Sequence, residues 1–137
     1  MTETGQRVCV VDDDASVRNA VTRLLRSAHY TVAAFSSASD FLASGEGTTS
    51  GCAILDVRMP GMDGLALQES LSARGSRLPV IFLTARDDAR TEERAMKNGA
   101  VDFFHKPVSG KELLDAVRAA LSDGLEDPGT RQGRSAS

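Results

Sequence analysis

Five side chains have the types and spacing to do chemistry together: Asp12, Asp13, Asp56, Thr84 and Lys106. The three carboxylates make a hard, oxygen-rich and strongly anionic set. Magnesium takes octahedral oxygen ligands, usually one or two carboxylates plus waters and phosphate oxygens. Clustered carboxylates raise one another's pKa values unless a cation neutralises them. A carboxylate can also attack phosphorus and form an aspartyl phosphate. Such transfer needs in-line positioning and charge stabilisation more than covalent help from the protein. Lys106 offers a mobile point charge suited to phosphate, and Thr84 a hydroxyl donor. With Asp56 as acceptor, a metal on Asp12 and Asp13, and Thr84 and Lys106 on the phosphoryl oxygens, the set is complete.

Each residue alone has a plainer reading. Asp12–Asp14 suits a solvated turn with a helix cap, Thr84 a strand-end hydroxyl and Lys106 a surface charge. Their weight comes from the elements that carry them. Arg7–Val11 is a short β-branched run ending in Asp12-Asp13-Asp14, and it reads as strand 1. Thr31–Phe35 reads as strand 2 and Cys52–Leu55 as strand 3, whose continuous apolar character marks burial on both faces. Strand 4 is Leu78–Thr84, with Pro79 tolerated at its first position, and strand 5 is Val101–Phe104.

Between the strands lie helices. Helix 1 runs from Ala15 to Ser27 with Asp14 as N-cap. Val17, Ala20, Val21, Leu24 and Leu25 form its buried face, leaving Arg18, Arg23 and Arg26 outside. Helix 2 spans Ala38–Ala43, followed by a Gly/Ser/Thr loop to Gly51. Helix 3 spans Gly64–Ala73. Helix 4, Asp88–Asn98, has few apolar anchors and a good stop at Asn98-Gly99. Ser109 and Glu112 form a capping-box signature for helix 5, which carries Leu113, Leu114, Val117, Ala120 and Leu121. From Asp123 the hydrophobic pattern stops, so a domain over 1–122 and a flexible tail or linker over 123–137 are expected.

Five strands alternating with five helices imply an α/β fold with parallel pairing and right-handed crossovers. Ligands of such sheets bind beyond the carboxyl ends of the strands. The five chemical residues all fall at those ends. Scattered in sequence, they converge in space.

Composition bounds the partners. The 137 residues, 41% hydrophobic and 26% charged, suit one soluble domain, and the absence of Trp with only five Phe makes the core aliphatic. A net charge of -3 without a Lys/Arg block argues against direct nucleic-acid binding. No apolar stretch approaches the roughly eighteen residues of a membrane span, and Met1–Gly5 lacks the features of a signal peptide. A cytoplasmic protein is the expectation. Cys9 and Cys52 lie in apolar runs and read as small buried hydrophobes.

Four motifs now stand together: Val11–Asp14, Leu55–Gly64, Leu83-Thr84-Ala85 and Phe104-His105-Lys106-Pro107. In order and at strand ends, they resemble the receiver domains of bacterial two-component response regulators, over about Arg7 to Leu121. The resemblance implies a single doubly wound, flavodoxin-like (βα)5 domain with strand order 2-1-3-4-5. It implies Asp56 as phosphoacceptor, fed by the phosphohistidine of a sensor histidine kinase or by a phosphotransfer protein. Asp12 and Asp13 match the acidic pair, with Asp13 favoured as the direct Mg2+ ligand and the Arg58 backbone carbonyl as the third protein ligand. Lys106 matches the phosphate-binding lysine, joined to Pro107 by a cis bond. Thr84 matches the switch hydroxyl and Phe103 the switch aromatic.

Several consequences of the resemblance follow. Thr84 drawn to the phosphate would free space for Phe103 to turn inward and reshape the helix 4–strand 5–helix 5 surface. Ala85, Arg58 and Arg86 border the pocket, where the two arginines would restrict attacking water and lengthen the phosphoform lifetime. The likeness is greatest to the FixJ-type branch, whose receivers often precede a LuxR-type helix-turn-helix domain. That branch implies a transcriptional output and phosphorylation-induced dimerisation through helix 4 and strand 5.

Two other classes compete. A magnesium-dependent phosphatase would use Asp12 as nucleophile in an Asp-x-Asp motif, but Ala15-Ser16 stands where Gly-Thr is usual and Asp56 has no role. A flavodoxin-like cofactor binder lacks a phosphate-cradling glycine loop after strand 1.

Overall fold

The computed structural model describes residues 6–48, 51–85 and 89–125. Three apolar runs, β1 (Arg7–Val11), β3 (Cys52–Leu55) and β4 (Val80–Thr84), are buried along almost their whole length. β2 (Thr31–Phe35) is far more open, and only Phe103 is buried in β5 (Asp102–His105). The sheet order explains the contrast: all pairs are parallel and run β2-β1-β3-β4-β5, which puts β2 and β5 at the edges.

Helices cover both faces, as a doubly wound sheet requires. α2 (Ala38–Ser44), α3 (Gly64–Ala73) and α4 (Ala89–Lys97) pack Phe41, Leu67, Leu71 and Ala95 against Cys9, Val11, Leu55 and Phe82. On the other face α1 (Ala15–Ser27) and α5 (Gly110–Leu125) pack Leu25, Leu113, Val117 and Leu121 against Val8, Val10, Ile54 and Ile81. Cys9 and Cys52 lie in different layers, form no disulfide and are fully buried. Burial pushes the Cys52 thiol up to about 12.

Boundaries differ from expectation at several places, with α2 ending at Ser44 and α4 at Lys97. β4 begins at Val80 rather than Leu78, because Pro79 has no N–H to give and contributes only its carbonyl, to Ala53 N–H at 2.9 Å. β5 lies one residue later than expected, and Lys106 N–H adds a further rung onto Thr84 O at 2.8 Å. The loop after α2 contains a 3-10 turn over Glu46–Thr48. α5 continues to Leu125, three residues past the expected boundary, and the rest of the expected tail lies outside the described residues.

Helix ends follow the expected cap chemistry. Asp14 accepts from the N–H groups of Ser16 and Val17, and Ser109 Oγ from Glu112 N–H. α4 holds a single buried residue, Ala95, while Met96 is exposed. α3 and α4 close on left-handed glycines, Gly75 and Gly99, with Ser76 N–H on Leu71 O and Ala100 N–H on Ala95 O. α1 ends the same way, Tyr30 N–H bonding Leu25 O, but the left-handed position is held by His29 at φ 73°.

That conformation costs an L-residue about 1–2 kcal/mol. Glycine returns about 0.5–1 kcal/mol of it through the entropy it loses on folding. His29→Gly is therefore expected to stabilise the fold by about 0.5–1 kcal/mol. A urea titration should show a raised midpoint with unchanged slope; a lowered midpoint would mean the imidazole contributes more than its backbone costs.

Candidate functional site

Backbone rungs, rather than side-chain contacts, bring the site together. Val11 pairs with Leu55, and Asp56 N–H bonds Val11 O at 3.0 Å, so Asp12 and Asp56 emerge side by side from adjacent strands. Thr84 pairs with His105, and the next residue after His105 is Lys106. Lys106-Pro107 is cis. Asp12, Asp56 and Thr84 are buried, with relative exposures of 3%, 6% and 1%. Asp13 is exposed. Each of Asp12, Asp13 and Asp56 offers an oxygen within 4.8 Å of the others.

Asp12 is bonded at every polar atom. Its N–H donates to Phe35 O at 3.1 Å, and its Oδ1 accepts from Asp14 N–H at 2.9 Å. Its Oδ2 takes Lys106 Nζ at 3.0 Å, and its carbonyl takes Arg18 Nη1 at 2.7 Å. Asp56 differs. Lys106 stands 3.8 Å from its Oδ2, and its Oδ1 has no hydrogen-bond partner. Burial, followed by the Asp12 charge, pushes the Asp56 carboxyl up from 3.8 to about 6, against the opposing pull of Lys106, the Arg58 N–H and the Thr84 hydroxyl. Thr84 Oγ1 is close enough to contribute to that pull without a hydrogen bond of good geometry, and it too is buried with no partner.

Buried polar atoms are nearly always hydrogen-bonded, and leaving one unmade costs about 1–3 kcal/mol. Here an unbonded carboxylate oxygen and an unbonded hydroxyl lie at one spot, beside a lysine and two further carboxylates. An all-oxygen anionic donor set with a spare lone pair fits a hard divalent cation. The same atoms leave a donor and a cation for the oxygens of an anionic group.

Around this centre the sequence expectations divide. Phe103 is buried against Phe82, ring centroids 5.8 Å apart, and meets His105 edge-on at 5.5 Å. The ring is thus already turned inward in this structure. Arg58 and Ala85 are exposed, while Arg86 lies outside the described residues. Arg18, expected to stay outside with Arg23 and Arg26, is half-buried and reaches back to Asp12.

One site residue carried no expected role. Gly64 opens α3 behind the N-cap Asp63, which accepts from Ala66 N–H, and donates its own N–H to Val57 O at 2.9 Å. A Cβ there would enter the Asp56 carbonyl oxygen and sit 3.0 Å from the carbonyl carbon and 3.1 Å from Phe82 Cε1. Its signals in the sequence are its place at the end of the Leu55–Gly64 motif and a poor helix former at the first position of a helix.

The response regulator receiver domain matches residues 8–118. The chain belongs to that family. Receivers of this family are phosphorylation-dependent signalling domains. Among known proteins, the transcriptional regulatory protein TdiR of Thauera aromatica is 51% identical over 123 residues, covering 88% of this chain and 54% of TdiR. The response regulator StyR superposes with a TM-score of 0.83 at 43% identity, over 96% of this chain and 65% of StyR. FixJ-N gives a TM-score of 0.79 at 32% identity, over 85% of this chain and 94% of FixJ-N. The chain spans about half the length of the curated relatives it matches. No helix among the described residues is long and apolar enough to cross a membrane.

Proposed function

We propose that Asp56 is the phosphoacceptor. Its carboxylate oxygen attacks the phosphorus of a phosphohistidine on a sensor kinase or phosphotransfer protein. The P–O bond to Asp56 forms as the P–N bond breaks, and the departing imidazole keeps the bond's electron pair and takes a proton. The observation that carries this reading is the buried Asp56 Oδ1, which has no hydrogen-bond partner. Asp12, the nucleophile of the phosphatase alternative, has both carboxylate oxygens engaged.

Asp12, Asp13, Asp56 and the Arg58 backbone carbonyl would hold Mg2+, which when bound neutralises the carboxylates and the incoming phosphoryl oxygens. Lys106 sits between Asp12 and Asp56, so a small movement of its flexible stem transfers its charge from Asp12 to a phosphoryl oxygen. Thr84 donates its unbonded hydroxyl to another. With Phe103 already inward, the Thr84 shift repacks the ring in place, and the surface of α4, β5 and α5 answers to phosphorylation. Arg58, exposed two residues after Asp56, slows hydrolysis of the phosphoform, and Arg86 is assigned the same effect.

The domain runs to the end of α5 at Leu125 rather than stopping at residue 122. It is a signalling module that catalyses only its own phosphorylation and dephosphorylation. It acts in the cytoplasm and governs a transcriptional output, as the similarity to TdiR supports, dimerising through α4 and β5 when phosphorylated.

Chemistry can locate the phosphate. After incubation with Mg2+ and acetyl phosphate, borohydride should reduce the acyl phosphate and convert Asp56 to homoserine, read by peptide mass spectrometry. Conversion of Asp12 instead would move the nucleophile to β1 and favour the phosphatase reading.

A further inference from the structure

Among the described residues, no hydrogen bond or ion pair holds the Asp13 carboxylate. An exposed side chain without partners leaves the main chain in the direction its backbone sets, and the backbone at Asp13 is set by the peptide planes on either side. The plane between Asp12 and Asp13 carries the Asp12 carbonyl. β2 ends at Phe35 and the chain turns into α2 at its N-cap Ser37, so no further rung with β2 takes that carbonyl. Arg18 takes it instead, Nη1 at 2.7 Å, from one turn into α1. The following plane is pinned by Asp14 N–H on Asp12 Oδ1 at 2.9 Å.

We propose that Arg18 is a positioning residue that aims Asp13 at the metal site through the Asp12 carbonyl. This rests on the reading of Asp12, Asp13 and Asp56 as a magnesium site. Arg18 touches neither metal nor phosphate; it fixes one carbonyl, and thereby the direction in which the next side chain leaves the main chain. Partners of this kind are part of how a metal site is built.

Charge and position predict opposite signs here. A guanidinium near three carboxylates repels a divalent cation, so its charge alone opposes metal binding. If position governs, losing Arg18 weakens binding. Calorimetric titration of the full chain with magnesium chloride, without phosphodonor, separates the two. Arg18→Met, which keeps the aliphatic stem packed, is expected to raise the Mg2+ dissociation constant about tenfold, the lower end of the loss for removing an outer partner of a metal site. Arg18→Ala carries the same expectation should Arg18→Met not fold. Arg18→Lys can still donate to the carbonyl and should recover most of the affinity, and Arg23→Ala on the exposed face should match wild type. Urea unfolding without Mg2+ gives the stability of each variant. Lower stability with unchanged or tighter Mg2+ binding would make Arg18 a prop of α1 and overturn the proposal. No binding by wild type would instead remove the magnesium reading on which it stands.

Discussion

Asp56→Asn is expected to take up no phosphate and yet to make the fold more stable at pH 7. The carboxyl of Asp56 is held at about 6 against an ordinary 3.8, chiefly by burial and next by Asp12. A raised pKa means that the folded state binds the proton more tightly than the unfolded state. Stability therefore falls as pH rises from about 4 to about 6, and the full penalty applies above that window. At about 1.36 kcal/mol per pH unit, the shift of about two units is worth up to about 3 kcal/mol. The neutral amide carries none of it, and Lys106 keeps its bond to Asp12. After a discount for solvent screening of a carboxylate at the mouth of the site, urea unfolding should show Asp56→Asn more stable than wild type by about 1–2 kcal/mol at pH 7 and nearly equal to it at pH 4. An Asp56→Asn variant less stable than wild type at pH 7 would show that the carboxylate is satisfied where it sits.

The same carboxylate marks how far the sequence could be read. The buried runs of β1, β3 and β4 are legible because a strand covered on both faces must be apolar throughout, and their ends fix where Asp12, Asp56 and Thr84 emerge. The cap at Asp14 is legible because a short acidic side chain bonds only its own helix start. What could not be read depends on reach and on approach. Arg18 sits on the helix at a position that reads as solvent-facing, yet its long side chain turns back six residues to Asp12. The state of Phe103 is a matter of packing against Phe82, which residue type and spacing leave open in either direction. Pro79 shortened β4 because a residue without an N–H cannot donate to the ladder, so the strand starts at Val80.

Gly64 is the plainest case of approach, and Gly64→Ala should be among the most damaging small substitutions in the chain. Helix propensity alone predicts a gain, because alanine is better than glycine by up to about 1 kcal/mol inside a helix. The added methyl group has nowhere to go. It enters the Asp56 carbonyl, whose residue is fixed by its N–H on Val11 O, while Gly64 is fixed by its own N–H on Val57 O. One of these rungs must give. The expected cost is about 2–4 kcal/mol, a large share of the roughly 5–15 kcal/mol that holds such a domain together. Because displacing a reacting group by about 1 Å can cost about a hundredfold, phosphate uptake from acetyl phosphate should slow by about that factor in the folded fraction. Gly110 provides the control, since it opens α5 directly after Ser109, which accepts from Glu112 N–H as Asp63 accepts from Ala66 N–H. A Cβ at Gly110 meets only the movable end of Leu24, 3.1 Å away. Gly110→Ala should stay within about 1 kcal/mol of wild type, with phosphate uptake unchanged. If both substitutions cost the same, the damage comes from helix starts in general, and the close approach of α3 to the Asp56 carbonyl has no special part in holding the site.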